Sequence, residues 1–239
     1  MTRRRWIADT WNATTATLTG EQAEHLVRVL RAVPGQIYDV VAGGFLHRAE
    51  IVSVQPTEVV FTLHEELESD AALPLHLLLA VFKFDHMEWA IEKATELGVA
   101  RITPVLARRT EKHLAQAAVK RAERWRRIAL EASKQSRRTS VPEISEAAAL
   151  KAALEDAAEP VRILLSETEQ SRTIASALTG TASADANYAL AIGPEGGWTP
   201  EEMSLFMQHG WQPVTLGPRI LRAETAAIAA IAILSSQLL

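Results

Sequence analysis

The pattern of apolar and polar residues changes near residue 72 and divides the chain into two parts. In the first part, Gln36 to Ala42, Phe45 to Val54 and Glu58 to Leu63 are rich in β-branched side chains, which predicts three strands. Gly43-Gly44 lies between the first two and indicates a tight hairpin. Three strands with one helix favour a small barrel or a curled sheet.

The one helix predicted in the first part runs from Glu21 to Arg31. It follows Thr19-Gly20-Glu21-Gln22, which has the form of a capping box. Leu26, Val29 and Leu30 recur at helical spacing and predict a single apolar face.

In the second part, from Leu75 onward, short apolar runs alternate with helical patterns. Strands are predicted over residues 75–82, 101–106, 161–166, 188–192 and 213–216, and helices over 86–97, 112–138, 145–155, 169–178, 200–209 and 223–238. This alternation is typical of an α/β domain with a largely parallel sheet. The acidic stretch Glu65 to Ala72 has no periodicity and indicates a linker, so we expect domains over residues 1–70 and 74–239.

Composition narrows the classes of chemistry. The chain has 239 residues, 48% of them apolar, and no cysteine, which excludes disulfides, thiolate metal sites and cysteine nucleophiles. Seven histidines are scattered without metal-binding spacing, so no metal site is expected. The longest apolar run, Ala226 to Leu234, is far short of a membrane span, and the basic N-terminus is not followed by the apolar core of a signal peptide. We therefore expect a cytoplasmic protein without a membrane partner.

The net charge of −4 conceals a local excess of positive charge. Between Arg108 and Arg138 there are eleven Arg or Lys residues and three Glu residues, a balance of +8. Such a segment is either a solvated helix surface or a phosphate-binding stripe. The candidates for RNA contacts are His25, Arg28, Arg31, Arg124, Arg127 and Arg138.

Three loops follow the last three predicted strands: Ser166 to Gln170, Gly193 to Thr199 and Gly217 to Arg222. Ligands of open parallel sheets bind outside the carboxyl ends of the strands, so these loops can share one pocket. The glycines of the middle loop would let a ligand approach the main chain. The loop lacks the spacing and the lysine of phosphate-binding loops, and Glu195 would repel phosphate, so a tight turn before a capped helix at Thr199 remains the alternative.

The stretch Leu216 to Ala226 joins a predicted buried strand to a helix that is apolar on nearly every side. Between them lie Arg219, Arg222 and Glu224. Charged groups beside a buried helix are costly unless they are paired or used. The stretch therefore carries either a structural Arg–Glu pair or active groups.

Several of these segments together are similar to one family. They are His25 to Arg31, Glu92 to Gly98, Glu131 to Ser136, Ile192 to Gly197 and Leu216 to Ala226. Over nearly its full length the chain resembles the ribosomal RNA small subunit methyltransferase E family, within the SPOUT class of S-adenosylmethionine-dependent enzymes. Ser136-Arg137-Arg138 departs from the Ser-Gly-Arg expected there.

The resemblance implies a fold, a reaction and partners. It implies an N-terminal PUA-like RNA-binding β-barrel and an α/β domain whose parallel sheet carries a trefoil knot that holds the methyl donor. The family acts as a homodimer and methylates N3 of one uridine in 16S ribosomal RNA of the small subunit. A non-catalytic RNA-binding ribosome-assembly factor and a nucleotide-dependent enzyme remain as alternatives.

The resemblance also suggests residues for each role. Those expected to hold S-adenosyl-L-methionine are Leu165, Ser166, Glu167, Ile192, Gly193, Gly196, Leu216, Gly217, Leu221 and Arg222. Loss of the weakly acidic N3 proton calls for a cation beside the developing uracil anion and for a proton acceptor. Arg222 is the candidate cation, and Glu224 or Glu195 would orient it or take the proton. Water is the other candidate acceptor.

Overall fold

The computed structural model describes residues 5–67, 72–136, 138–178 and 186–238. The chain separates into two compact units. The first contains residues 1–71 and 133–140, and the second contains residues 72–132 and 141–239. Residues 133–140 are assigned to the first unit because of their contacts in space, and those contacts cannot be read from the sequence.

The first unit is built on a six-stranded sheet, where the sequence predicted three strands. Its elements are β1 (Arg5–Ile7), β2 (Thr10–Trp11), β3 (Thr15–Thr19), α1 (Gly20–Glu24), a π-helical segment (His25–Val29), β4 (Ile37–Ala42), β5 (Phe45–Gln55) and β6 (Glu58–Leu67). The strand order is β1-β4-β5-β6-β3-β2, and only the β1–β4 pairing is parallel. The strands missed from the sequence, β1 to β3, have two to five residues each, too few to show a period of two.

The hairpin predicted at Gly43-Gly44 is confirmed. Both glycines have positive φ angles, 63° and 89°, and Ala42 pairs with Phe45 across the turn. The predicted linker is partly wrong, because β6 continues through the acidic residues to Leu67 and pairs with β5 there. The rest of that linker, residues 68–71, lies outside the described residues.

The predicted helix of the first unit begins without its expected cap. The Thr19 side chain makes no capping hydrogen bond; its hydroxyl donates to Asp9 instead. Leu26 is buried, but Val29 and Leu30 are 62% and 41% exposed, so the predicted common apolar face is wrong. The reason is the π-helical segment, whose wider turn rotates residues away from α-helical spacing.

The second unit contains a seven-stranded sheet with α-helices. Its elements are β7 (Leu73–Ala80), α2 (Phe84–Glu96), β8 (Val99–Leu106), α3 (Lys112–Ala118), α4 (Ala122–Ser136), β9 (Glu143–Ile144), β10 (Ala148–Ala149), α5 (Leu150–Asp156), β11 (Val161–Leu165), α6 (Ile174–Leu178), β12 (Tyr188–Ile192), α7 (Pro200–Gln208), β13 (Gln212–Val214) and α8 (Ala223–Leu238). The order is β10-β8-β7-β12-β11-β13, with β9 also beside β8, and all pairings are parallel. The predicted α/β class with a parallel sheet is confirmed.

Side chains on both faces of this sheet are buried. Along β7, Leu75, Leu77 and Leu79 belong to one apolar cluster, and Leu78 and Ala80 belong to another. Burial on both faces explains why the central strands read as continuous apolar runs in the sequence.

Three helices of the second unit differ from their predicted extents. The predicted helix 112–138 is interrupted between α3 and α4 by a turn in which Arg121 N–H donates to Ala118 O. Residues 148–149 form β10, so α5 starts only at Leu150. Helix α6 begins at Ile174, because the preceding residues fold around the Glu169 carboxylate.

Helix α7 has the capping box that its sequence predicted. The Thr199 hydroxyl accepts the Glu202 N–H, and the Glu202 carboxylate accepts the Thr199 N–H. Helix α8 differs from expectation: Ala227, Ile231 and Leu234 are buried, but Ile233 is exposed, so the helix is not buried on nearly every side. Among the described residues, no helix is long and apolar enough to cross a membrane.

Candidate functional site

A cavity of about 1030 Å³ opens in the second unit at the carboxyl ends of its strands. Its walls come from the last residue of each of three strands and the loop that follows it: residues 165–170 at β11, residues 192–195 with 197 and 198 at β12, and residues 214–223 at β13. The three loops predicted to share one rim therefore meet at a single cavity. Lys83 after β7, His86 in the first turn of α2 and Arg109 after β8 also line it.

The loop after β11 is folded around one carboxylate. Glu169 accepts hydrogen bonds from the N–H groups of Gln170, Ser171 and Arg172 at 2.8–3.0 Å and from the Ser171 hydroxyl at 2.8 Å. These bonds, that from Arg172 N–H foremost, lower the pKa of Glu169 to about 2. Ser166 N–H donates to Val214 O at 3.0 Å, which ties the start of the loop to β13.

The glycine-rich loop after β12 is held by close backbone contacts. Gly197 has a φ of 68°, and its N–H donates to Pro194 O at 2.8 Å to form a tight turn. The Arg109 guanidinium donates to Gly196 O at 2.6 Å, and a Cβ on Gly196 would lie 3.3 Å from the Arg109 side chain. Arg109 therefore fixes this loop from the segment that follows β8, two strands away in the sheet.

The loop after β13 turns sharply at Gly217. Its φ is 106°, and its N–H donates to the Thr215 hydroxyl at 3.1 Å. No atom lies within 4 Å of the place where a Cβ would stand, so glycine is required there by backbone conformation and not by lack of space. Arg219 and Arg222 line the cavity from this loop, and both are exposed.

The two glutamates considered as proton acceptors have different surroundings. Glu195 lines the cavity, is half-exposed, and lies 3.8 Å from the Lys83 ammonium. Glu224 is 3% exposed and is not among the cavity-lining residues. Its Oε1 lies 3.5 Å from His86 Nδ1, so within the described ranges the ionisable side chain beside it is His86 rather than the arginine considered from the sequence.

Of the residues expected to hold the methyl donor, all but one line the cavity. They are Leu165, Ser166, Glu167, Ile192, Gly193, Leu216, Gly217, Leu221 and Arg222. The exception is Gly196, whose carbonyl is engaged by Arg109. A position in the cavity wall does not test whether a residue binds the donor, so these roles stay predictions.

The RNA-contact candidates of the first unit lie in and beside the π-helical segment. The His25 ring is 5.9 Å from the Trp6 ring, and Arg28 lies 3.4 Å from Glu24. Arg31 is exposed and has a positive φ of 52°. Arg28 and Arg31 thus place positive charge at this surface, and Glu24 offsets part of it.

Helix α4 carries less free positive charge than its sequence suggested. Arg124 makes two hydrogen bonds to Glu88, at 2.6 and 2.7 Å, and Arg126 contacts Glu123 and Glu146. Arg127 is exposed. Beyond the helix, burial lowers the pKa of Arg138 to about 10. Arg137 lies outside the described residues.

Sequence reasoning missed Lys83, His86 and Arg109 as residues of the cavity. A signal was available, because the rule that ligands bind at the carboxyl ends of parallel strands applies to β7 and β8 as well as to the last three strands. No group of three or more His, Asp and Glu side chains in the described part of the chain could hold a metal ion.

Comparisons with known proteins agree on one family. Residues 69–235 match the RNA methyltransferase domain family. The chain is 36% identical over 222 residues to the ribosomal RNA small subunit methyltransferase E of Synechocystis sp., covering 91% of this chain and 72% of that protein. It is 32% identical to the protein of that name from Bacillus subtilis, covering 94% of this chain and 91% of the relative.

A solved structure is similar over the whole fold. The ribosomal RNA small subunit methyltransferase E of Neisseria gonorrhoeae, bound to S-adenosyl methionine, superposes with a TM-score of 0.82 at 29% identity. The similarity covers 98% of each chain.

The Glu169 loop provides a test of the cavity wall. In Glu169→Gln, the amides of Ser171 and Arg172 should exchange with solvent faster than in the parent protein, because a neutral amide oxygen is the weaker acceptor. The control Glu167→Gln removes a carboxylate from the same loop, and it should leave those two amides unchanged. Equal exchange in both variants would contradict this account.

The same loop should respond to acid in a defined direction. Its folded-state pKa lies below the ordinary value of 4.5, at about 2, so the carboxylate favours the folded loop above pH 4.5. That contribution is lost as the pH falls through about 2. Amide chemical shifts of Ser171 and Arg172 should therefore stay native-like at pH 4.5 and change well below it.

Proposed function

Because the chain belongs to the ribosomal RNA small subunit methyltransferase E family, we propose that it transfers the methyl group of S-adenosylmethionine to N3 of one uridine in 16S ribosomal RNA. The observation that carries this proposal is the meeting of three strand-end loops and an exposed arginine at one cavity. The reaction belongs in the cytoplasm, where ribosomal RNA is processed.

The residues of the cavity fit S-adenosylmethionine in size and in chemistry. A volume of about 1030 Å³ suits a nucleoside joined to an amino acid and leaves room for a base. Leu165, Leu216 and Leu221 offer apolar surface, and Gly193 and Gly217 offer accessible main chain. The wall carries both carboxylates, Glu167 among them, and basic side chains, which suits a ligand that has a sulfonium, an ammonium and a carboxylate group. The bound donor supplies a methyl group made electrophilic by its sulfonium.

Arg222 provides the positive charge that the reaction needs. Deprotonated uracil carries its negative charge on N3 and the two neighbouring carbonyl oxygens, and a guanidinium beside those oxygens stabilises it. Arg222 is exposed at the cavity in the turn just before α8, and Ala226 N–H donates to its carbonyl at 2.8 Å, which anchors its backbone. Positioning of the base and the cation accounts for most of what the protein contributes.

The variant Arg222→Ala tests this role. It should bind S-adenosylmethionine in calorimetry and methylate with kcat lowered by about 10² to 10³, because charge stabilisation of that size is typical. Methylation is measured by mass mapping of nuclease fragments of 16S ribosomal RNA. The control Arg219→Ala removes a cation from the same loop, and its kcat should fall much less.

Two results would count against the proposal. A normal methylation rate in Arg222→Ala would remove Arg222 from the reaction. RNA binding by the parent protein without binding of S-adenosylmethionine would instead favour a non-catalytic ribosome-assembly factor.

The first unit is proposed to be a PUA-like barrel that contacts RNA. In support, the chain between β1 and β2 bonds to β4 and β3, the strands next to the two edges of the sheet: Ala8 N–H donates to Val41 O, and Asp9 N–H donates to Thr17 O. His25, Arg28 and Arg31 supply the polar contacts of this unit. In the second unit, the proposed contacts are Arg124 and Arg127. Arg138, a further proposed contact, lies beyond α4 and belongs to the first unit.

Arg127 and Arg124 form a matched pair for testing RNA contacts on α4. Arg127→Ala should weaken RNA binding at low salt and reduce the slope of log K against log salt by about one charge. Arg124→Ala should change the slope less, because Glu88 already binds that guanidinium. The RNA affinity of each variant is measured by fluorescence titration over a range of salt concentrations. An unchanged slope in Arg127→Ala would rule out the helix as a phosphate contact.

The family also implies a trefoil knot around the donor site and a homodimer. The gathering of the loops after β11, β12 and β13 at one cavity supports the knot. Exposed apolar side chains on the packed helices α2 and α8, Trp89 and Ile233, support a dimer contact on those helices.

The dimer contact is tested by placing a charge on α8. Ile233→Asp should sediment as a monomer, because an interface cannot bury an unpaired carboxylate cheaply. Val119→Asp places the same charge on another exposed apolar site of the second unit and should remain dimeric. If Ile233→Asp remains dimeric, this face of α8 is not the dimer interface.

A further inference from the structure

The ring of His86 lies between a buried carboxylate and the cavity. His86 is the third residue of α2 and lines the cavity. Its Nδ1 is 3.5 Å from Oε1 of Glu224. This contact joins the first turn of α2 to the first turn of α8, the helix that follows the Arg222 turn.

Glu224 is an unusual residue to bury. Its carboxylate is almost fully enclosed, and Oε2 makes no hydrogen bond within the described residues. Burying a carboxylate is costly unless a partner or a favourable dipole compensates. The amino-terminal turn of α8 supplies the dipole, and His86 supplies the partner. A carboxylate kept in this way is suited to hold the imidazole ring.

A carboxylate at one ring nitrogen selects the tautomer of a histidine. With the proton on Nδ1, directed at Glu224, the lone pair is left on Nε2. Among the described residues, Nε2 lies 3.8 Å from Asp85 Oδ2, a solvated carboxylate on the same helix. Nε2 is therefore able to accept a proton. At this separation of 3.5 Å, Nδ1 makes no hydrogen bond within the described residues, and such contacts commonly shorten when substrate binds.

We propose that His86 accepts the N3 proton of the target uridine, and that Glu224 is a positioning residue that holds the His86 ring. This inference rests on the proposed function. In the step, the N3–H bond breaks and an N–H bond forms at Nε2. The electron pair left on N3 bonds to the methyl carbon, while the electrons of the carbon–sulfur bond stay on sulfur. The imidazolium later returns its proton to water.

The other two acceptors considered from the sequence are less suited. Glu224 lies behind the wall of the cavity, and Glu195 is solvated and paired with Lys83. Asp85 and Glu224 face His86 directly. The remaining ionisable groups of the cavity wall are Lys83, Arg109, Glu167, Glu169, Glu195, Arg219 and Arg222.

The experiment compares His86→Gln with His113→Gln in the full chain. His113 is the matched control, since it also lies in the first turn of a helix with a glutamate, Glu111, 3.5 Å from its Nδ1, but it does not line the cavity. His86→Gln should bind S-adenosylmethionine normally in calorimetry and lower kcat by about 10² to 10⁴, the range for loss of a general base. The acidic limb of its pH profile of kcat should disappear. The control, His113→Gln, should match the parent protein in its affinity for S-adenosylmethionine, its kcat and its pH profile.

A measurement that does not depend on activity tests the positioning role. In the nitrogen NMR spectrum of the parent protein, the neutral His86 ring should carry its proton on Nδ1, with the signal assigned by its absence in His86→Gln. A proton on Nε2 would overturn the proposed arrangement.

The outcomes separate this inference from the proposed function. If His86→Gln keeps its rate and its acidic limb while the parent protein forms N3-methyluridine, His86 is not the acceptor and the function stands. If the parent protein forms no N3-methyluridine, the proposed function fails, and with it the proton transfer, whatever tautomer the ring adopts.

Discussion

The parallel hydrogen bonding of β7, β12, β11 and β13 is the constraint on which the site depends. Parallel strands point the same way, so the loops that follow them collect at one edge of the sheet. Short bonds then fix the loops to neighbouring strand ends, as when Ser166 N–H donates to Val214 O and Thr215 N–H donates to Arg172 O. A cavity walled by segments far apart in the chain follows from this geometry.

Three glutamates of the second unit have different roles because their surroundings differ. Glu169 is half-buried and accepts hydrogen bonds from backbone donors, and it serves the fold of a loop. Glu202 caps α7 and also accepts the Arg108 N–H at 2.7 Å, so it ties two elements together. Glu224 is buried beside His86. The same side chain thus acts as a loop anchor, a cap or a positioning group according to its neighbours.

Counting charges along the chain overstated the positive surface of α4. The count from residue 108 to 138 left out Glu88 and Glu146, which lie outside that window and bind Arg124 and Arg126. Such pairs form between elements that are distant in the chain, so a local sum cannot include them. The proposed RNA contact on this helix is therefore narrower than the sequence suggested and centres on Arg127.

What the sequence determined by itself was local or strongly periodic. Burial on both faces made the central strands continuous apolar runs. Gly43-Gly44 could take the positive φ angles of a tight hairpin turn, and Thr199 with Glu202 formed its cap within four residues. Only the tertiary structure decided which face of α8 stays exposed, where the π-helical segment turns Val29 outward, and that His86 meets Glu224. Those features depend on packing between residues far apart in the chain, whose separation in space no local pattern records.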